Sequence, residues 1–302
     1  NTVLNRNFDG LSVKAKFTEF ENFSRSDHNI SFNYGSEINS GRGNFTFHYS
    51  RYDREPIKAT EDERMGISDW RELPEISGTK WDSTRFRRDS TNSPYGQFDI
   101  IPTVKDSELH KTFALTDSSG EFEIFPADDP KCQIILNNSS CIASDTITKR
   151  YNMNSERWIY SRLKRDNLFL TFDYDLSSNL TFFSDVLFYK SDTIQNNSPS
   201  AAFSTSRIIV PANNYWNPFG PVNFNDGRAN PNRVRLNNTG QDISQTIPDD
   251  GLPILIDWYR YVDVGPRVVN VEKDTYRFLF GLRGASKNWR WETAIFLSLI
   301  HI

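Results

Sequence analysis

Alternation of apolar and polar residues constrains this chain more than any other feature of its sequence. In Leu11–Phe17, apolar residues occupy every second position, and Ser and Lys fill the positions between them. A period of two is typical of a β-strand that has one apolar and one polar face. Seven segments show it, at 11–17, 30–34, 45–49, 168–174, 180–188, 276–282 and 289–295. The sequence therefore predicts an all-β, antiparallel fold.

The links between these segments alternate in length. Three are short and rich in Gly, Ser and Asn, as tight hairpins require; they lie at 39–44, 175–179 and 284–288. The other three are longer, at about 21–28, 55–165 and 191–274. In an up-and-down meander, all short links share one end, which is typical of an outer-membrane β-barrel with short periplasmic turns and long extracellular loops. We also expect a short strand at Gly120–Pro126, within the second long loop.

The two faces of the strands predict two different surroundings. In a barrel, the apolar face contacts lipid and the polar face lines the lumen. Aromatic residues near the strand ends suit the membrane interfaces; they are Tyr34, Tyr174, Tyr276, Trp289 and Trp291. Phe169, Phe183 and Leu279 break the alternation, because they fall on the polar face. The alternative interpretation is a soluble sandwich, in which the apolar faces pack on a second sheet.

Composition excludes a helical membrane protein and argues mildly against a nucleic-acid-binding protein. No stretch approaches the roughly 18 apolar residues that a membrane-spanning helix needs. The formal net charge of −4 argues against a nucleic-acid-binding face, which would be basic.

Four segments resemble TonB-dependent outer-membrane receptors. VLNRNFDGLSVKAKF (Val3–Phe17) resembles the junction between plug and barrel, and FNYGSEINSGRGNFTFHYSRYDREPI (Phe32–Ile57) is similar to the following strands. IIVPANNYWNPFG (Ile208–Gly220) resembles a loop element of the family, and TYRFLFGLRGASKNWRWETA (Thr275–Ala294) resembles its strand–turn–strand repeat. The resemblance implies a plugged barrel of 22 strands in the bacterial outer membrane, which binds and imports a nutrient.

On this resemblance, residues 1–10 correspond to the plug-to-barrel junction and residues 11–302 to the N-terminal part of the barrel. Seven strands cannot close such a barrel, so we expect a fragment without its plug. The implied partners are outer-membrane lipid, the TonB–ExbB–ExbD energy-transducing system acting through the plug, and a ligand such as an iron–siderophore, haem, cobalamin or an oligosaccharide. LSLIHI (Leu297–Ile302) resembles a translated sequencing adapter, so we expect these residues to be non-native.

Searches for catalytic and metal-binding patterns find no Gly-rich phosphate loop, GxSxG elbow or HExxH motif. The acidic pairs Asp128–Asp129 and Asp249–Asp250 lie beside Pro and suit solvated turns, and Asn223–Asn232 fails the spacing of a calcium loop. We therefore expect no enzyme activity, no catalytic residue, no cofactor and no metal site. Two other functions stay open: a secreted or surface β-sandwich that binds carbohydrate, and a hydrolase on a β scaffold.

Aromatic loop residues are the candidate ligand contacts. Tyr215, Trp216 and Phe219 lie in the third long loop, where aromatic rings can stack on a ligand or pack on another loop. Cys132 and Cys141 lie in a polar stretch with eight residues between them. A disulfide that closes a small loop, and hence an oxidising compartment, is the preferred interpretation over two unrelated thiols.

Overall fold

The computed structural model describes residues 8–81, 84–100, 121–137, 139–144, 149–206, 208–236 and 240–301. The chain divides into two compact units. Unit 1 comprises residues 1–66, 156–197 and 268–302, and unit 2 comprises residues 67–155 and 198–267. Within the described residues, no helix is long and apolar enough to cross a membrane.

Unit 1 is built on one antiparallel sheet of seven strands, which confirms the predicted all-β class. Its strands are β1 (Gly10–Phe20), β2 (Phe23–Ile38), β3 (Gly43–Arg54), β10 (Arg162–Ser177), β11 (Leu180–Asn197), β15 (Arg267–Ser286) and β16 (Trp289–His301). They follow one another across the sheet in chain order, as expected for a meander. The described strands do not close into a barrel, and β1 and β16 form the two edges of the sheet.

Unit 1 also contains a short strand pair and two short helical elements. The pair is formed by β4 (Ile57–Lys58) and β9 (Trp158–Tyr160). A 3-10 turn at Ala59–Glu61 and the helix α1 (Glu63–Gly66) follow β4.

The register of the sheet joins the apolar residues into continuous rows. One row runs through Val13, Phe32, Tyr49, Leu168 and Phe188, each directly opposite the next. Because residues opposite each other in an antiparallel pair point to the same face, the residues of this row share one side of the sheet.

Phe183 fills a position on the polar face because a glycine lies beside it. A side chain at Gly281 would clash with the Phe183 ring, so the ring lies over bare backbone. The arrangement leaves Phe183 buried among polar neighbours, and it explains one of the three breaks in the alternation.

The first predicted outer loop, at 21–28, is wrong. β1 and β2 pair down to Phe20 and Phe23, so the link is a tight turn of two residues, Glu21–Asn22. The other two long links are also shorter than predicted. The second ends where β10 begins, at Arg162, and the third lies between the end of β11 at Asn197 and the start of β15 at Arg267. Strand pairing depends on backbone hydrogen bonds, so strands continue past the point where their apolar pattern ends.

The two remaining long links form unit 2, which has a sheet of its own. Its strands are β5 (Gln97–Ile100), β6 (Glu121–Pro126), β7 (Ile134–Asn137), β8 (Ser140–Ser144), β12 (Ala201–Ala202), β13 (Ile208–Val210) and β14 (Ile254–Arg260). β6 confirms the short strand predicted at Gly120–Pro126. The pairing of β5 with β14 joins the two links into one sheet. Short 3-10 turns lie at Trp70–Glu72, Thr84–Phe86, Ser204–Ser206, Ser244–Thr246 and Val262–Val264.

Unit 2 has a hydrophobic core like that of a soluble domain. Its buried members come from both links; they are Ile100, Phe122, Ile134, Ile142, Phe219, Val234, Ile243, Ile247, Leu252 and Ile254. Arg233 stabilises the surrounding loops, since its guanidinium donates to the carbonyls of Gly220 (2.5 Å), Ser244 (3.1 Å), Ile247 (2.7 Å) and Pro248 (3.1 Å). The same burial lowers the pKa of Arg233, and Asp249 opposes that shift.

Candidate ligand pocket

A pocket of about 370 Å³ lies within unit 2. Its floor is formed by Phe98, Phe122, Ile124 and Ile254, from three neighbouring strands. Phe98 and Phe122 lie opposite each other in β5 and β6, and their rings stack with centroids 5.5 Å apart. The volume is within the usual range for sites that bind small molecules.

The hairpin of β7 and β8 forms one wall of the pocket, through Leu136 and Ser140. Cys132 and Cys141 form a disulfide at this hairpin, with their Cα atoms 5.7 Å apart. Because Cys141 is fully buried and Cys132 packs beside it, the disulfide anchors the base of the hairpin to the smaller core cluster around Phe125.

The Asn–Pro–aromatic segment forms the opposite wall. Asn214 Oδ1 accepts a hydrogen bond from the backbone N–H of Trp216 (2.9 Å), and Asn217 Oδ1 accepts one from Phe219 (2.9 Å). Asx turns of this kind fix the conformation of a segment that forms neither a helix nor a strand. The Asn217 amide also donates to the Leu252 carbonyl (2.8 Å), which fixes the segment against the core.

The three predicted ligand contacts have different positions in the structure. Trp216 lines the pocket and is 74% exposed. Tyr215 is also exposed, and its ring meets Trp216 edge to face with centroids 4.8 Å apart. The prediction that Phe219 contacts a ligand is wrong, because this side chain is 0% exposed and packs against Phe122 in the core.

Sequence reasoning missed the pocket floor. Phe98 and Val210 belong to strands of only four and three residues, which lie within links predicted to be long loops. The local signals are the alternating segment QFDI and the apolar run IIV, and segments of this length do not distinguish a strand from a loop.

Two of the acidic residues singled out in the sequence pair with cationic side chains. Asp129 is paired with Lys149, and this hydrogen bond lowers the pKa of the Asp129 carboxyl. Asp226, in the segment compared with a calcium loop, pairs with Arg228 at 2.7 Å. Among the described residues, no group of three or more His, Cys, Asp or Glu could hold a metal ion.

Unit 1 has a second cavity, of about 550 Å³, on the polar face of its sheet. Lys14, Asn33, His48 and Asn167 line it together with Phe169. His48 and Asn33 contact each other through Nδ1 and Oδ1 at 2.5 Å. The polar residues therefore cluster on one side of the sheet, opposite the apolar rows.

No family model, curated protein or solved structure matches this chain. The pocket of unit 2 and the two-faced sheet of unit 1 are therefore the features from which a function can be inferred.

Proposed function

We propose that this chain is part of a TonB-dependent receptor of the bacterial outer membrane, in which unit 1 is a section of a 22-stranded barrel wall. Unit 2, formed by the outer loops, captures a small nutrient, and import is driven by the TonB–ExbB–ExbD system. The observation that carries the proposal is the exposed apolar face of the seven-stranded sheet.

This apolar face contrasts with the core of unit 2. Large apolar side chains on it are exposed on the edge strands, including Val13 (63%) and Ile295 (78%), and are half-buried on the central strands, including Leu168 and Phe188. No large hydrophobic residue of this face is buried within the described part of unit 1. Monomeric soluble proteins rarely expose contiguous apolar patches larger than a few hundred Å². Contact with lipid accounts for an apolar face that continues over seven neighbouring strands.

The height of the apolar face also supports a position in a membrane. On β11, the apolar positions run from Leu180 to Phe188, and Lys190 follows on the same face. Nine residues at roughly 3.3 Å each, tilted by about 40°, span about 23 Å, close to the apolar band of outer-membrane barrels. Lys190 lies opposite Asp166, which pairs with Arg51 at 3.7 Å. Charged residues therefore begin where the apolar rows end.

The opposite face has the chemistry of a polar lumen. Arg283 pairs with Asp173, and the hydroxyls of Thr46 and Thr171 are hydrogen bonded to each other. Charges and hydroxyls that are paired in this way are stable beside water or protein, but their transfer into lipid is costly. The separation of the two chemistries between the two faces of one sheet supports the assignment of unit 1 as barrel wall.

A second candidate function is a surface β-protein that binds a carbohydrate without entering a membrane. The soluble-type core of unit 2 and its pocket beside an exposed Trp favour it. The two candidates differ in one respect that can be measured, namely whether the apolar face of unit 1 contacts lipid or protein.

Single cysteines on β10 are expected to distinguish these candidates. With the receptor in intact outer membranes, we expect Leu170→Cys to resist a water-soluble maleimide, because lipid covers that face. Asn167 lines the polar cavity. We therefore expect the maleimide to modify Asn167→Cys once urea opens the lumen, at a concentration that leaves the barrel folded. The two native cysteines form a disulfide, so they do not compete for the reagent.

Fluorescence quenching by brominated lipids provides a positive signal for contact with lipid. A fluorophore attached at Leu170→Cys is expected to be quenched by them, and one at Asn167→Cys is not. Recovery of the protein in the soluble fraction, or equal quenching at both positions, would contradict the membrane assignment and favour the surface protein.

A further inference from the structure

The residues that line the pocket of unit 2 favour an uncharged ligand. Apolar residues make up most of its lining, among them Phe98, Phe122, Ile124, Leu136, Val210 and Ile254. Among the described residues that line it, none has an ionisable side chain. A charged ligand would therefore lose its hydration without gaining a counter-charge, which is costly in an apolar site.

The polar groups of the pocket are few and neutral. Asn214 and Asn232 contribute amides at one side of it. Part of their hydrogen-bonding capacity is already used, since Asn214 Oδ1 accepts from Trp216 and Asn232 Nδ2 donates to the Tyr215 carbonyl (2.6 Å). Asn217 also lines the pocket, but its amide is bonded to Pro211, Leu252 and Phe219. Asn214 and Asn232 keep a further donor, Nδ2, and a further acceptor, Oδ1, respectively. They suit one or two polar substituents on a ligand rather than a fully hydroxylated one.

Trp216 provides a fixed aromatic surface at the pocket. Its backbone is held by Asn214, and the neighbouring Tyr215 ring packs edge to face against it. Tyr215 in turn stacks on Phe224, with centroids 5.9 Å apart. An indole held in place with most of its surface in solvent is suited to stacking on a flat ligand.

From these features we infer that the pocket binds an uncharged, largely apolar ring system of one or two fused rings, stacked on Trp216. One or two polar substituents of this ring are bound by Asn214 and Asn232. The inference rests on the proposed receptor function and specifies the class of ligand. It does not depend on how unit 1 contacts lipid.

The test uses 2-naphthol as the neutral probe and 2-naphthalenesulfonate as its anionic counterpart, with methyl glucoside as a hydroxylated ring. Each compound is titrated into the purified protein in detergent in a calorimeter. The heat measured with protein-free micelles is subtracted. We expect saturable binding of 2-naphthol. The sulfonate, which has the same ring system and a negative charge, is expected to bind at least about tenfold more weakly.

Two substitutions on β13 separate pocket binding from partition into micelles. Val210→Trp fills the pocket and is expected to weaken 2-naphthol binding about tenfold or more. Ile209→Trp is the matched control, because Ile209 is the neighbouring residue, is 51% exposed and points to the other face of the strand. It is expected to leave binding unchanged.

Substitution of the exposed rings gives an independent measurement. Trp216→Ala is expected to weaken 2-naphthol binding roughly 5–30-fold, as loss of an aromatic contact does. Trp81→Ala removes another exposed indole of unit 2 that does not line the pocket, and should have no effect.

Several results would overturn the inference. They are the absence of saturable 2-naphthol binding at millimolar concentration, equal affinity for the sulfonate, tighter binding of methyl glucoside, or no effect of Val210→Trp. Cysteine modification and lipid quenching on β10 report on the barrel wall alone, so failure of the ligand class and failure of the membrane assignment are distinguishable.

Discussion

Leu170→Arg is expected to destabilise the full-length receptor in lipid by about 2–4 kcal/mol, the cost of a charge near the middle of the bilayer on the outer face of a barrel. Leu170 is suited to this test because it lies on the central strand of the sheet. Its direct neighbours on the apolar face are Phe47 and Val186, so no opposite charge is available beside it.

The matched control is Phe169→Arg. Phe169 is the preceding residue of β10, and it lines the polar cavity beside Asn167 and His48. An arginine there replaces a side chain larger than that of Leu170, and its charge lies on the face of the sheet that carries His48 and Asn167, although Leu187 lies opposite it on β11. We therefore expect a smaller loss of stability than for Leu170→Arg, even though more apolar surface is removed.

Urea titration of folding into phospholipid vesicles measures both changes. A penalty at Leu170 that is equal to or smaller than that at Phe169 would contradict the membrane assignment. Comparable free energies in lipid and in a detergent-free soluble form would do the same, because a soluble sandwich has no lipid face.

The sheet of unit 1 is predictable from sequence because its signal is local. Alternation in β3 and β10 fixes which residues share a face, and Gly- or Asn-rich turns fix which strands are neighbours. The predicted loop at 21–28 was wrong for a local reason as well. Residues 23–29 of β2 are mostly polar, and sequence alternation marks only the part of a strand that has an apolar face.

Unit 2 is not predictable in the same way, because its contacts join residues that are distant in sequence. β5 pairs with β14, and these strands are separated by more than 150 residues. Trp216 and Phe219 show the consequence. Both are aromatic residues in one Asn- and Pro-rich segment, but only one packs against Phe122 in the core. No pattern within the segment indicates which ring is buried.

Phe219→Ala is the substitution expected to have the largest effect on unit 2. Its ring is fully buried, meets Phe122 edge to face at 5.4 Å, and packs within a cluster that draws on both links of unit 2. Truncating a buried Phe leaves a cavity and typically costs about 3–5 kcal/mol. We expect a loss of this size in the unfolding free energy of unit 2.

Trp216→Ala is the matched control for stability, because it truncates a larger ring three residues away that is mostly in solvent. Its effect on unfolding is expected to stay within about 0.5 kcal/mol. The two substitutions thus have opposite profiles: Trp216→Ala reduces ligand binding and leaves the fold intact, and Phe219→Ala reduces stability first.

Hydrogen exchange followed by mass spectrometry can show which strands lose stability. With Phe219→Ala, peptides that cover β6 and β14 are expected to exchange faster, since both strands contribute residues to the core around Phe219. Peptides from β10 are expected to keep their protection, because the buried core cluster that contains Phe219 has no member in that strand. Unchanged exchange in β6 and β14 would show that the two long links do not depend on this core, and would contradict the description of unit 2 as one cooperatively packed domain.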